Sequence, residues 1–140
     1  MDKIVIDTNV ILSGLKSNKG MSFKLLKVIP KNKFKIIVSV PIILEYESVL
    51  KSKIKELKLS EQDISTVINY FCKISEHTKI YYLWRPILKD PKDDHILELA
   101  VAANAKYIIT YNLKDFDESS KFNIKAIRPK DFLISIGEIK

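Results

Sequence analysis

Asp7, Glu45, Asp94 and an acid near Asp115 are the side chains of this sequence best placed to do chemistry. Each falls at or shortly after the end of a segment that reads as a β-strand. An open α/β sheet places its binding crevice outside the carboxyl ends of its strands, so acids scattered through the sequence would meet in space. Carboxylates crowded into one crevice repel each other and are tolerated mainly where a cation neutralises them. The pattern points to a metal-dependent hydrolytic site, with phosphate chemistry as its use.

Every one of these positions has an ordinary alternative. Asp7-Thr8-Asn9 directly follows the first strand. Asp7 would be a ligand held in place by Thr8 and Asn9, yet Asp and Thr are equally good helix caps. Glu45 and Glu47 lie on opposite flanks of one helix's apolar stripe, and periodicity does not choose between them. Asp90, Asp93 and Asp94 precede a helix N-terminus, where the macrodipole favours negative charge. One of them could be only a cap, but three acids in five residues exceed capping needs. Glu98, one turn after Asp94, could face the same way. Thr110, Asn112, Asp115 and Asp117 follow the fourth strand, where Asn112 could coordinate through its carbonyl or orient a water; an ordinary polar loop is the alternative.

Other chemistries find less support. His77, His95 and Cys72 share no zinc-ligand spacing; His95, beside Asp94, could assist the site, but a helix-surface position is the first expectation. Cys72 reads as a small core residue. Neither a Walker-type nor a dinucleotide-binding glycine loop is present. Tyr81-Tyr82-Leu83-Trp84 offers stacking surfaces for bases but reads first as a core strand.

The elements that must position these residues alternate between strand and helix. Strands are predicted at 3–6, 35–40, 79–84, 107–110 and 125–127. A short helix over 21–29 ends before Pro30, and another runs from Pro41 to Lys51 with Ile43, Tyr46 and Leu50 inward. Ser60 and Asp63 form a capping box for a helix lined by Ile64, Val67, Ile68, Phe71 and Cys72. A helix from Asp93 or Asp94 to Asn104 and a short one from Pro129 complete the pattern. The expected fold class is α/β: a parallel sheet covered on both faces.

Length and composition set outer bounds. At 140 residues and 46% hydrophobic, with no repeat or linker, the chain is expected to form one domain spanning 1–140. No apolar run is long enough for a bilayer, the N-terminus lacks a signal-peptide pattern, and a lone Cys72 fits a reducing compartment; a cytoplasmic protein is expected. The formal net charge is +7, and apart from Arg85 and Arg128 every Lys/Arg position is lysine. Lysine suits sequence-blind phosphate contact better than bidentate base reading. A basic surface around an acidic pocket suggests a polyanion brought to a metal.

Taken in order, the motifs resemble those of PIN-domain ribonucleases. Residues 4–12 (IVIDTNVIL) resemble that family's first-strand motif, residues 45–50 (EYESVL) its acidic helix, residues 90–100 (DPKDDHILELA) its third motif and residues 105–116 (AKYIITYNLKDF) its final strand and loop. The resemblance favours Glu45 over Glu47 and Asp94 within its cluster. It departs at Asn112, where the family often has aspartate, so the fourth acid is either displaced to Asp115 or absent. By resemblance the fold is PIN-like, with a five-stranded parallel sheet and helices on both sides. Many small members are VapC-type toxins of type II toxin–antitoxin pairs. They cleave RNA with Mg²⁺ or Mn²⁺, usually act as homodimers and are silenced by a cognate antitoxin. The resemblance thus implies Asp7, Glu45, Asp94 and Asp115 as catalytic metal ligands, with Asn9, Thr110 and Asn112 supporting them. Two other readings stand beside it: a PIN-type nuclease for RNA maturation or structured DNA, and a catalytically silent PIN-like binding module.

Overall fold

Ile4, Val5 and Ile6 are consecutive residues of one strand, and all three are completely buried. Successive strand side chains point to opposite faces, so such a run requires cover on both sides of the sheet. Ile36, Ile37 and Val38 repeat the pattern, as do Ile108 and Ile109. In the computed structural model, which describes residues 1–80 and 93–140, these segments form the centre of a five-stranded parallel sheet.

The strands are β1 (Asp2–Ile6), β2 (Phe34–Val38), β3 (Glu76–His77), β4 (Tyr107–Ile109) and β5 (Lys125–Ile127), in the order β3-β2-β1-β4-β5. Every pairing is parallel. The helices are α1 (Thr8–Lys16), α2 (Met21–Val28), α3 (Val40–Ser52), α4 (Ile54–Leu57), α5 (Glu61–Ile74), α6 (Asp94–Ala102) and α7 (Pro129–Ser135). Short 3-10 segments cover Ile29–Lys31 and Leu113–Phe122.

Local signals explain most boundaries. Ser39 caps α3 by accepting from Ile42 N at 3.3 Å, and Pro41 lies in its first turn. Ser60 and Asp63 form the expected reciprocal box, with Asp63 N to Ser60 Oγ at 3.0 Å and Ser60 N to Asp63 Oδ2 at 2.9 Å. Gly14 lets α1 and α2 pack closely: a Cβ there would lie 2.6 Å from Leu26 Cδ1 and 3.1 Å from the Ser22 carbonyl oxygen.

The structure departs from the sequence reading in several places. The third strand is Glu76–His77, earlier than expected; Thr78 to Ile80 are outside any strand, and residues 81–92, including Tyr81 to Trp84 and Asp90, lie outside the described residues. This edge strand carries a half-buried Glu76 and an exposed His77, so no apolar run announces it. On α3 the buried stripe starts at Ile42, with Ile43 only half-buried; on α5 it is Ile64, Ile68 and Phe71, with Val67 and Cys72 at its margin. The polar stretch after β4 folds into 3-10 turns kinked at Phe116. The buried Phe116 ring and a bond from Ser119 Oγ to the Ile124 carbonyl oxygen (2.9 Å) pin it down.

Candidate active site

Chain order reverses across β1: the sheet grows through β2 and β3 on one side, then returns to add β4 and β5 on the other. Such a switch point is where open α/β sheets bind ligands, beyond the strands' carboxyl ends. Ile6 pairs with Ile109, which places Asp7 and Thr110 beside each other just past those ends. Asp7 N donates to the Ile109 carbonyl oxygen at 2.9 Å, fixing the backbone as it leaves the sheet.

Thr110 Oγ1 donates to Asp7 Oδ2 at 2.7 Å and itself accepts from Asn112 N at 3.0 Å. Thr110 is completely buried and Asp7 nearly so. Asp7 occupies the position preceding α1, yet its side chain makes no capping bond. The capping alternative therefore fails for Asp7. Its carboxylate is turned to Thr110 instead.

The tie between the two glutamates of α3 is broken by their partners. Glu47 forms an exposed pair with Lys51 at 3.8 Å. Glu45 is held at both oxygens: Oε2 accepts from the Thr8 hydroxyl, and Oε1 lies 3.1 Å from His95 Nε2. One carboxylate thus ties together α1, α3 and α6. Between them, Tyr46 donates its hydroxyl to the Ile6 carbonyl oxygen, the residue before Asp7, from a fully buried position. His95 is not the surface residue expected from its sequence, because its ring is largely covered and hydrogen-bonded to Glu45. A polar residue at i+1 of a predicted ligand was the available signal, and it does not by itself tell inward from outward. The Thr8 hydroxyl serves Glu45, while the Thr8 backbone N–H supports the Asp7 carboxylate.

Asp94 begins α6 and is 1% exposed; Glu98, one turn on, is 3% exposed. Burial of two acids on one helix is costly without compensation, which fits a polar centre better than a solvated helix start. Asp93 precedes the helix and makes no side-chain cap bond to it. Asn9 Oδ1 is buried with no hydrogen-bond partner among the described residues. Asp115 is half-buried and makes no ion pair or side-chain hydrogen bond among the described residues, while Asn112 is exposed and contributes its backbone N–H to Thr110.

The two acids facing one another titrate in opposite directions. Burial, opposed by the Thr110 hydrogen bond and reinforced by the charge of Glu45, raises the Asp7 carboxyl above its ordinary 3.8. Burial also pushes Glu45 upward, but the hydrogen bonds from His95 and Thr8 outweigh it and hold Glu45 below its ordinary 4.5. Burial, with the charges of Asp7 and Glu45, drives the Tyr46 hydroxyl well above its usual range, so it remains a donor.

The donor set suits a hard divalent cation: carboxylate oxygens, an uncommitted amide oxygen at Asn9, and a buried Asp7 that repulsion from Glu45 leaves short of positive charge. Among the described residues, no group of three His, Cys, Asp or Glu side chains converges closely enough to hold a metal unaided. Mg²⁺ and Mn²⁺ sites meet that condition readily, because such ions keep several waters and take one or two carboxylates.

Comparison with known proteins places this geometry in context. A family model described as PIN domain matches residues 3–114. Over 45 residues the chain is 47% identical to "Putative ribonuclease VapC50" of Mycobacterium tuberculosis; the match spans 31% of this chain and only 27% of that protein's length. The fold is similar to a chain in the crystal structure of VapBC2 from Rickettsia felis bound to a DNA fragment from their promoter. There the TM-score is 0.61 and the identity 15%, covering 89% of this chain and 98% of the other.

Proposed function

The chain belongs to the PIN domain family, and on that premise we propose that it is a Mg²⁺- or Mn²⁺-dependent endoribonuclease acting as the toxin of a toxin–antitoxin pair. The observation that carries the reading is the buried Asp7 carboxylate, aimed by Thr110 at the sheet's switch point and raised in pKa by burial and by Glu45. The partial match to a protein named as a ribonuclease supports RNA as substrate, and the likeness to a VapBC2 chain supports an antitoxin as partner. Homodimerisation and a cytoplasmic location belong to the same reading. Among the described residues, no helix is long and apolar enough to cross a membrane.

Asp7 and Glu45 would seat the cation together with several retained waters, and Asp94 and Asp115, which form no converging three-acid group with them among the described residues, are the candidate further acids. When bound, the cation lowers the pKa of a water and polarises the phosphoryl oxygen for in-line attack. The chain's own residues prepare that event. Thr110 fixes the rotamer of Asp7, Thr8 and His95 keep Glu45 ionised and oriented, and Tyr46 anchors the end of β1. Such supporting bonds decide whether a ligand set is ready or must first reorganise.

A silent binding module is the second reading, favoured by the neutral, exposed Asn112 where the family often has an acid. Titration of the purified protein with Mn²⁺, followed by calorimetry and thermal melting, separates the two. The nuclease reading expects binding and a raised melting temperature in wild type and neither in Asp7→Asn. A wild type indifferent to the ion would favour the module. Growth arrest on expression, absent for Asp7→Asn, tests the toxin role.

A further inference from the structure

Between Asp7 and Glu45 the chain carries seven lysines and no acidic residue. Several of them line one groove. Lys19, Lys24, Lys27 and Lys31, with Phe23, border a concavity of about 630 Å³ along α2, and Glu138 lies at its Lys31 end. Lys24 and Lys27 are exposed and one turn apart, and with Lys19 they have no acidic partner among the described residues. Several other surface lysines are ion-paired: Lys3 with Glu76, Lys16 with Glu56, Lys106 with Asp2 and Lys121 with Glu118. Lys55 and Lys73, on α4 and α5, are exposed without an ion pair among the described residues and serve as controls. Glu138 neutralises only the far end, bonding Lys31 at 2.7 Å and Lys33 beside it.

Helix α2, which carries this groove, is tied to the acidic site through Tyr111. Tyr111 follows Thr110, the residue that aims Asp7, and its hydroxyl is hydrogen-bonded to Ser22 Oγ in the first turn of α2. Tyr111 is 37% exposed, so part of an aromatic ring is open to solvent beside the residue that aims Asp7 and is bonded to the first turn of α2. Lys27 lies over the Phe23 ring, 5.7 Å from its centroid, so the groove wall offers a second aromatic surface with a cation against it. Unpaired lysines following a line, with interspersed aromatic faces, are the means by which proteins hold a single-stranded nucleic acid without reading its sequence.

We propose that α2 forms a track for the phosphate backbone of single-stranded RNA, running from Tyr111 at the rim of the acidic site past Lys24 and Lys27 toward Lys31. The inference rests on the nuclease reading and adds where the uncut part of the strand lies. It assigns Lys24 and Lys27 to positioning: they raise affinity for RNA long enough to reach them and leave the chemical step alone.

The test measures binding of a labelled single-stranded RNA by anisotropy in EDTA, across a series of salt concentrations. Wild type is compared with Lys24→Glu/Lys27→Glu and with a control of equal charge change on the exposed lysines of α4 and α5, Lys55→Glu/Lys73→Glu. Each released single-strand phosphate contact contributes about 0.7 to the log–log salt slope. The α2 double variant should therefore bind at least about tenfold more weakly at low salt, with a slope shallower by about 1.4, while the control stays near wild type. In cleavage assays with metal, the α2 variant should raise KM on long RNA and leave kcat unchanged. Circular dichroism melts check that both variants fold.

Equal weakening by both double variants would reduce the effect to net charge and overturn the track. Binding of poly-glutamate in the groove as tightly as RNA, lost in the α2 variant, would assign the surface to an acidic protein partner. If wild type cleaves RNA and the α2 variant does so with unchanged KM, the track falls while the nuclease stands. If wild type neither binds nor cleaves RNA, both readings fall together.

Discussion

Thr110 joins Asp7 to the loop beyond β4: its hydroxyl donates to Asp7 Oδ2 at 2.7 Å and accepts from Asn112 N at 3.0 Å. Thr110→Val keeps the shape and removes both bonds. A hydrogen bond to a charged group is worth about 1.5–3 kcal/mol, so the variant should be destabilised by an amount of that order at neutral pH. Its Asp7 should titrate at still higher pH, and its cation affinity should fall. Denaturant melts and carboxyl-selective NMR titration read these effects. An unchanged Asp7 titration would show that Thr110 does not tune it.

Asp7 and Glu45 should leave opposite marks on the pH dependence of stability in the absence of metal. The Asp7 carboxyl lies above its ordinary 3.8, so its contribution to stability is full below that value and is lost as pH rises through the raised one. Glu45 lies below its ordinary 4.5, so its contribution is full above that value and is lost as pH falls through the lowered one. In EDTA at neutral pH, Asp7→Asn should therefore melt at or above the wild-type temperature, with the gain shrinking in acid. Glu45→Gln should melt below wild type, with that loss shrinking in acid. A Glu45→Gln protein as stable as wild type at neutral pH would contradict the account of its partners.

Releasing Glu45 by His95→Ala should raise its carboxyl toward the ordinary value, because the His95 hydrogen bond is the leading influence lowering it. Activity should shift its acidic limb to higher pH, and cation affinity near that limb should drop. His95→Gln, which can still donate to Glu45, should restore much of both. A pH–rate profile identical across the three proteins would remove His95 from the site.

Tyr46→Phe deletes a buried donor and leaves the Ile6 carbonyl oxygen without it, a change costing about 1–3 kcal/mol. The loss is structural in origin but lies next to Asp7, so cation affinity should weaken along with the denaturation midpoint. Ser60→Ala, which removes the cap of α5 far along the chain, should cost about 1 kcal/mol and leave cation affinity unchanged. Equal loss of affinity in both would mean that global stability, not the end of β1, sets the site.

The central strands were legible because parallel strands buried on both faces are written as unbroken β-branched runs, as in Ile4-Val5-Ile6 and Ile36-Ile37-Val38. The cap of α5 was legible because Ser60 and Asp63 act locally. The edge strand at Glu76–His77 was not, since a strand of two polar residues has no pattern of its own and exists only by pairing with Ile37 and Val38. Within the site, Asp7 and Thr110 could be singled out and Glu45 only through the family resemblance, but the partners of Glu45 could not. His95 reaches Glu45 across fifty positions of sequence, and the Thr8 hydroxyl turns to Glu45, leaving only the Thr8 backbone N–H to Asp7. Those are choices made by helix packing.

The most direct measurement is cleavage of single-stranded RNA by the purified protein with Mn²⁺, with Mg²⁺ or with EDTA, beside the Asp7→Asn variant. Products are expected from wild type with either ion, none with EDTA and none from the variant, whose fold is intact by its melt. Cleavage that persists in EDTA, or that Asp7→Asn performs as well as wild type, would contradict a metal-dependent site at Asp7.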